Sequence, residues 1–175
     1  MERHRIVAVS VILALAGMML WGLGVFDRTV PKGYTVIDLT ADDGERRLLA
    51  ALLRDGERVT LRWRNSQFGL DVTEGFFADS GRLVQDRVTF ALPGGPPSPP
   101  VSPADVADLF HTGGPFDARG LARPFSRIVY RISEIGDPRL EVQGRTVFFK
   151  REVGFGGRVV LAARRPALHE IAFGR

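Results

Sequence analysis

The sequence predicts a mostly β protein: an antiparallel sandwich or partly open barrel with one short helix, preceded by a single transmembrane helix. Three observations carry that prediction. Residues 6–26 form a run of 21 uncharged residues. Beyond it, apolar and polar residues alternate with period two in several short segments. Turn dipeptides such as Asp43-Gly44, Asp55-Gly56, Ser80-Gly81 and Gln143-Gly144 separate those segments.

The apolar run comes first. As a helix it would span about 31 Å, close to the ~30 Å of a bilayer's hydrocarbon core. Only a helix satisfies its own backbone groups there. Trp21 and Phe26 sit toward one end, where aromatic rings favour the interface. Arg3 and Arg5 precede the run, and Asp27, Arg28 and Lys32 follow it. That balance keeps residues 1–5 in the cytoplasm and sends residues 33–175 across. A cleaved signal peptide is the rival reading, but the run is long and no A-x-A pattern follows. The expected address is thus the cytoplasmic membrane, single-pass, with the C-terminal domain outside.

Next come the strands. Val59, Leu61 and Trp63 alternate with Arg58, Thr60, Arg62 and Arg64, a half-buried strand with a cationic outer face. Tyr34 to Leu39, Val72 to Phe77, Val88 to Leu92 and Ile128 to Ile132 read similarly. Thr146 to Lys150 and Val159 to Ala163 are further β-prone runs. Leucines 48, 49, 52 and 53 have helical spacing, yet they lie between two Asp-Gly turns, so a strand is expected. The one helix opens at Ser102-Pro103-Ala104-Asp105, an N-cap, a first-turn proline and an acidic first turn. Val106, Leu109 and Phe110 give it an apolar face, and Gly113-Gly114-Pro115 ends it. Residues 93–103 hold six of the eleven prolines and read as a semi-rigid excursion from the sheets.

Composition limits the chemistry. The chain has no cysteine, which excludes disulfides, thiolate metal sites and cysteine nucleophiles. The net charge is +4 and the pI about 10.3, almost all of it arginine. Acidic residues interrupt the arginines, so no nucleic-acid stripe forms. The plain reading is a mixed, solvated surface; the alternative is a face for a small anionic ligand or for anionic lipid headgroups near the anchor. The three histidines lack metal-ligand spacing, so no metal or cofactor is expected. There is no P-loop, no dinucleotide fingerprint and no G-x-S-x-G elbow.

Two side chains stand out. Strict alternation places Glu74 on the inward face with Leu70, Val72 and Phe76. A carboxylate there needs a partner, which an arginine turned inward by a bulge could supply in a structural ion pair; the other reading is a bulge at Gly75 that returns Glu74 to solvent. His111 sits beside a glycine-rich turn, where the options are acid–base work or anion binding on one side and capping of the helix C-terminus or plain packing on the other.

The stretch Arg58-Val59-Thr60-Leu61-Arg62-Trp63-Arg64-Asn65-Ser66, followed by Asp71-Val72-Thr73-Glu74-Gly75-Phe76, resembles the uncharacterised family catalogued as domain of unknown function eighteen-fifty. Arg127-Ile128-Val129-Tyr130-Arg131-Ile132 before a Leu-x-Val strand is similar too. Asn65-Ser66 stands where that family's pattern has His-Ser, while Glu74 matches its acidic position. Members are small, often begin with one hydrophobic segment and are often encoded beside TRAP-type transporters with TAXI-type binding subunits. The resemblance implies a membrane-anchored accessory or binding module, with transporter subunits as partners. Asn65, Ser66, Glu74, His111, Arg127 and Arg131 are the candidate ligand or partner contacts. A membrane-tethered hydrolase using Glu74 or His111 is the alternative.

Overall fold

A computed structural model of the chain describes residues 33–41 and 44–173. The expected tail and anchor at 1–26 lie outside them. Among the described residues, no helix is long and apolar enough to cross a membrane.

Among the described residues, eleven strands form two sheets. The smaller has the order β2-β1-β11-β8, from β2 (Arg46–Arg54), β1 (Tyr34–Ala41), β11 (Arg158–Arg164) and β8 (Arg127–Arg131). The larger has the order β10-β9-β3-β4-β5-β7-β6. Its strands are β3 (Arg58–Asn65), β4 (Leu70–Asp79), β5 (Arg82–Ala91), β6 (Pro100–Val101), β7 (Phe116–Phe125), β9 (Arg139–Val142) and β10 (Arg145–Phe148). Every pairing is antiparallel except β6 with β7. The sheets face each other as a sandwich, and among the described residues no barrel closes.

Two hairpins follow directly from the sequence. Ser80 and Gly81 both have positive φ, 51° and 85°, and join Asp79 to Arg82. Gln143 and Gly144, at 48° and 73°, join Val142 to Arg145. Such two-residue turns match the right-handed strand twist. A Cβ on Gly81 would lie 2.7 Å from the Arg165 backbone nitrogen, so that position also needs glycine for space. Asp55-Gly56 behaves differently from the hairpin its residues suggest. It carries the chain from β2 in one sheet to β3 in the other, with the Gly56 amide bonded to the Ala78 carbonyl of β4.

One apolar core fills the space between the sheets. Ile37, Leu39 and Leu161 from the small sheet meet Leu61, Phe76 and Leu140 from the large one. A second core covers the far end of the large sheet. There Leu70, Val72, Val88, Phe90 and Phe116 pack under Val106 of helix α1 (Val106–Thr112) instead of under strands. Trp63 packs against both cores.

The helix begins as expected: the Ser102 hydroxyl accepts from the Ala104 amide across a short 3-10 turn, Pro103–Asp105. It is not the only helix. α2 (Phe149–Val153) takes over where β10 ends, so the strand expected to reach Lys150 stops at Phe148. The Phe149 amide bonds to the Pro138 carbonyl and its ring is fully buried, which turns the chain inward. α3 (Leu168–Phe173) closes the described chain. The proline-rich excursion folds back onto the sheet: β6 lies within it, and Ser98 donates to the Phe90 carbonyl.

α3 is held through Glu170. Both its oxygens accept from the Arg164 guanidinium, at 2.7 and 2.6 Å, and one also accepts from the Ala167 amide at 2.7 Å. The Arg164 hydrogen bonds, assisted by that amide, bring the carboxyl down to about 2. A folded-state value below the unfolded one stabilises at pH above the unfolded value and loses that effect as pH falls. α3 should therefore detach between about pH 4.5 and pH 2. Glu170→Gln should release it at neutral pH. Limited proteolysis of the C-terminal segment reads both.

Candidate functional site

The site lies where β8 of the small sheet faces the end of β3 and the start of the β3–β4 connection. A cleft of about 350 Å³ opens there. Trp63, Glu74 and Tyr130 line it, with Ser133, Arg64 and Arg131 among the other contributors. The Arg64 amide bonds to the Gly136 carbonyl at 2.8 Å, which ties the β8–β9 loop to β3 and fixes one wall.

Glu74 faces inward, as alternation requires. Its partners are not arginines. Trp63 Nε1 donates to Oε1 at 2.8 Å, and Gln85 Nε2 donates to Oε2 at 2.7 Å. A bulge brings Gln85 there. Gly75 pairs with Arg87 and Phe76 with Gln85, leaving Asp86 as an extra residue on β5. The insertion resets the strand's phase. Leu83 and Gln85 point inward before it, Val88 and Phe90 after it. The outward arginines therefore stay outward. Arg58 pairs with Asp86 at 2.6 Å, and Arg62 pairs with Glu141 at 3.1 Å.

Both of Glu74's donors are neutral, so neither offsets its charge. Burial pushes the carboxyl above its ordinary range, against the two hydrogen bonds, which lower it. Tyr130 lies in the same cleft, its ring 5.8 Å from that of Phe149. Its hydroxyl is buried and has no hydrogen-bond partner among the described residues. Burial, with the Glu74 charge nearby, pushes the phenol far up.

A raised carboxyl has a consequence for stability. The folded state holds this proton more tightly than the unfolded chain does, so stability falls as pH rises through the folded-state value. Glu74→Gln removes that penalty. The new side chain can still accept from Trp63, while Gln85 flips its amide to receive the new N–H. The variant should be more stable than the parent at pH 7.5 by about 0.5–2 kcal/mol. The gap should close below about pH 4, in the range of an ordinary carboxyl. Urea denaturation at the two pH values measures it, and a less stable variant at pH 7.5 would contradict it.

Four of the residues singled out in the sequence meet at this cleft: Asn65, Ser66, Glu74 and Arg131. Asn65 has a local task there. Its Oδ1 accepts from the Gln67 and Phe68 amides at 2.9 and 3.0 Å, closing the turn after β3. Two residues lie elsewhere. His111 is exposed on the last turn of α1, over the second core. Arg127 begins β8 opposite Ala162, exposed and outside the cleft. Trp63, Gln85 and Tyr130 do not stand out in the sequence as site residues. Trp63 and Tyr130 read as core residues, and Gln85 depends on the bulge. Among the described residues, no group of three or more His, Asp or Glu side chains could hold a metal ion.

Comparison with protein-family models, with curated proteins and with solved structures returns no match. The chemistry of the cleft therefore rests on its own geometry.

A second charged cluster lies on the outer face of the large sheet. Asp117 is buried and accepts from Arg87 Nε at 2.7 Å, from Thr89 Oγ1 at 2.9 Å and from Arg119 Nη2 at 2.9 Å. Burial alone would raise this carboxyl; the hydrogen bonds from Arg87, Thr89 and Arg119 outweigh it and hold it below the usual value. The cluster fastens β7 to β5.

Proposed function

We propose that the chain is a non-catalytic binding module that takes a small ligand into the cleft between the sheets. The observation that carries this reading is the Tyr130 hydroxyl, buried without a partner in the same cleft as a carboxyl held only by neutral donors. Buried polar groups with unused hydrogen-bonding capacity cost stability. They are retained where a ligand supplies the missing partner. The hydrophobic run at 6–26 would hold the module at the outer face of the cytoplasmic membrane. The resemblance to the family found beside TRAP-type transporters suggests that it serves solute uptake as an accessory.

Trp63 reports on the cleft. In a Trp21→Phe background it is the only tryptophan. A small-molecule extract of the cell envelope should shift its fluorescence in the full-length protein, and Tyr130→Phe should weaken the response. No response to the extract would overturn the binding reading. Protease access to a C-terminal tag in spheroplasts tests the address.

One observation favours a second reading, a membrane-tethered hydrolase working through Glu74. The carboxyl is raised by burial and shares its cleft with Ser66 and Ser133. Hydrolytic turnover that disappears in Glu74→Gln would establish it. A hydrolase route through His111 draws no support from the geometry, because that imidazole stands outside the cleft.

A further inference from the structure

The cleft is electrostatically divided, and the division describes a ligand. We propose that it binds a small zwitterion with the charge pattern of a free α-amino acid, its ammonium group at Glu74 and its carboxylate at Arg64 and Arg131. This rests on the binding reading above and names the ligand class for that site.

The inner end asks for a cation. Glu74 is an acid whose hydrogen-bond donors, Trp63 and Gln85, are both neutral. An anion taken from water without a countercharge is costly. An ammonium group would supply that charge and give N–H donors to the remaining carboxylate lone pairs. Trp63 and Tyr130 line the same cleft, and their π faces attract an organic cation. The Tyr130 oxygen has no partner and can accept from the same ammonium.

The outer end asks for an anion. Arg64 and Arg131 line the cleft and are exposed. Among the described residues, neither guanidinium makes an ion pair or a side-chain hydrogen bond. Arg62, two residues before Arg64 on the same strand, is by contrast paired with Glu141. Two guanidiniums without partners at the mouth of one cleft suit a carboxylate, which arginine recognises through parallel N–H donors. Ser66 and Ser133 add neutral hydrogen-bonding groups.

A plain cation would leave the mouth unused. A plain anion would meet Glu74 at the inner end. A molecule carrying both charges satisfies both, and a cleft of about 350 Å³ suits a small one.

The test uses the full-length chain in detergent and isothermal titration calorimetry at pH 7.5. The twenty standard amino acids are titrated, each beside its methyl ester, which keeps only the cation, and its N-acetyl derivative, which keeps only the anion. At least one amino acid should bind, with both derivatives weaker by roughly tenfold or more. Glu74→Gln should weaken that amino acid by a similar factor while remaining folded. Arg131→Ala should lose preference for the acid over its ester, a change that general loosening of the fold would not produce. Equal binding of the N-acetyl derivative, or undiminished binding by Glu74→Gln, would overturn the zwitterion and leave the binding module standing. So would silence toward all three sets from a chain whose Trp63 fluorescence still answers the envelope extract. Silence toward both would overturn the two together.

Discussion

Phe90→Ala should destabilise the domain by about 3–5 kcal/mol, the usual range for a fully buried phenylalanine. The ring is 1% exposed. It stacks on Phe116 at 4.8 Å between centroids and meets Phe110 and Trp63 edge-on at 5.0 and 6.1 Å. Each such pair adds about 0.5–1.5 kcal/mol beyond the buried area. The hole would sit between the sheet and α1, which joins the sheet through only a few apolar side chains. Trp63 borders the hole on one side and donates to Glu74 on the other, so the loss should also reach the cleft. The urea midpoint should fall, and Trp63 emission should move to longer wavelength before global unfolding. Phe155→Ala is the matched control: its ring is 71% exposed, and the change should stay within about 0.5 kcal/mol of the parent. A loss under about 1.5 kcal/mol in Phe90→Ala would mean that α1 settles onto the sheet and refills the space.

Asp117→Ala should cost about 2–4 kcal/mol. Breaking a buried ion pair from one side typically costs about 3–5 kcal/mol, because a charge is left without its partner. The guanidiniums here are partly in water, with side chains 45% and 71% exposed, which reduces the penalty. They also stand opposite each other in the strand register, Arg87 against Arg119, so removing the carboxylate leaves like charges facing across the pair. Asp117→Asn keeps the shape and an oxygen for Thr89 but loses the charge, and should cost less than alanine. The effect has a pH signature. The folded carboxyl titrates below its unfolded value, so its contribution is present above about pH 4 and disappears as pH falls through the folded value. The gap between parent and Asp117→Asn should close in acid. A gap that persisted unchanged at pH 2 would assign the loss to packing and not to charge.

The legible parts of this fold are those set by neighbours in the chain. Ser80-Gly81 and Gln143-Gly144 are hairpins because their residues tolerate positive φ, and that is a local property. Ser102 caps its helix for the same reason. The alternation through β3 and β4 puts Glu74 on the inner face with no reference to the rest of the fold. The illegible parts depend on partners far along the chain. β7 carries no alternation because residues 120–122 bulge out opposite Asp86, with Ala122 held at a φ of 54°. Its Pro124 is tolerated because β6 pairs only with Asp117 and Ala118, so that stretch of β7 has an open edge. Gln85 turns inward only because Asp86 is an extra residue on β5. Asp55-Gly56 has hairpin chemistry, yet the strands on either side of it, β2 and β3, belong to different sheets. His111 and Glu74 are both conspicuous in the sequence, but α1 lies over the second core and keeps them apart. Tyr130 looks like one more core aromatic, and only the packed structure reveals a hydroxyl left without a partner.

The pairing of β1 with β11 sets the order in which the domain can assemble. Residues 36–41 lie against residues 159–164, so the small sheet draws its first and last strands from opposite ends of the described chain. While the polypeptide emerges, the β1–β2 hairpin must wait with an open edge until nearly everything else has been made. Contacts of such long sequence separation place the domain among slow folders, on a scale of milliseconds to seconds. A chain stopped short of β11 would expose Ile37 and Leu39 to water, and early termination would mark the product for degradation.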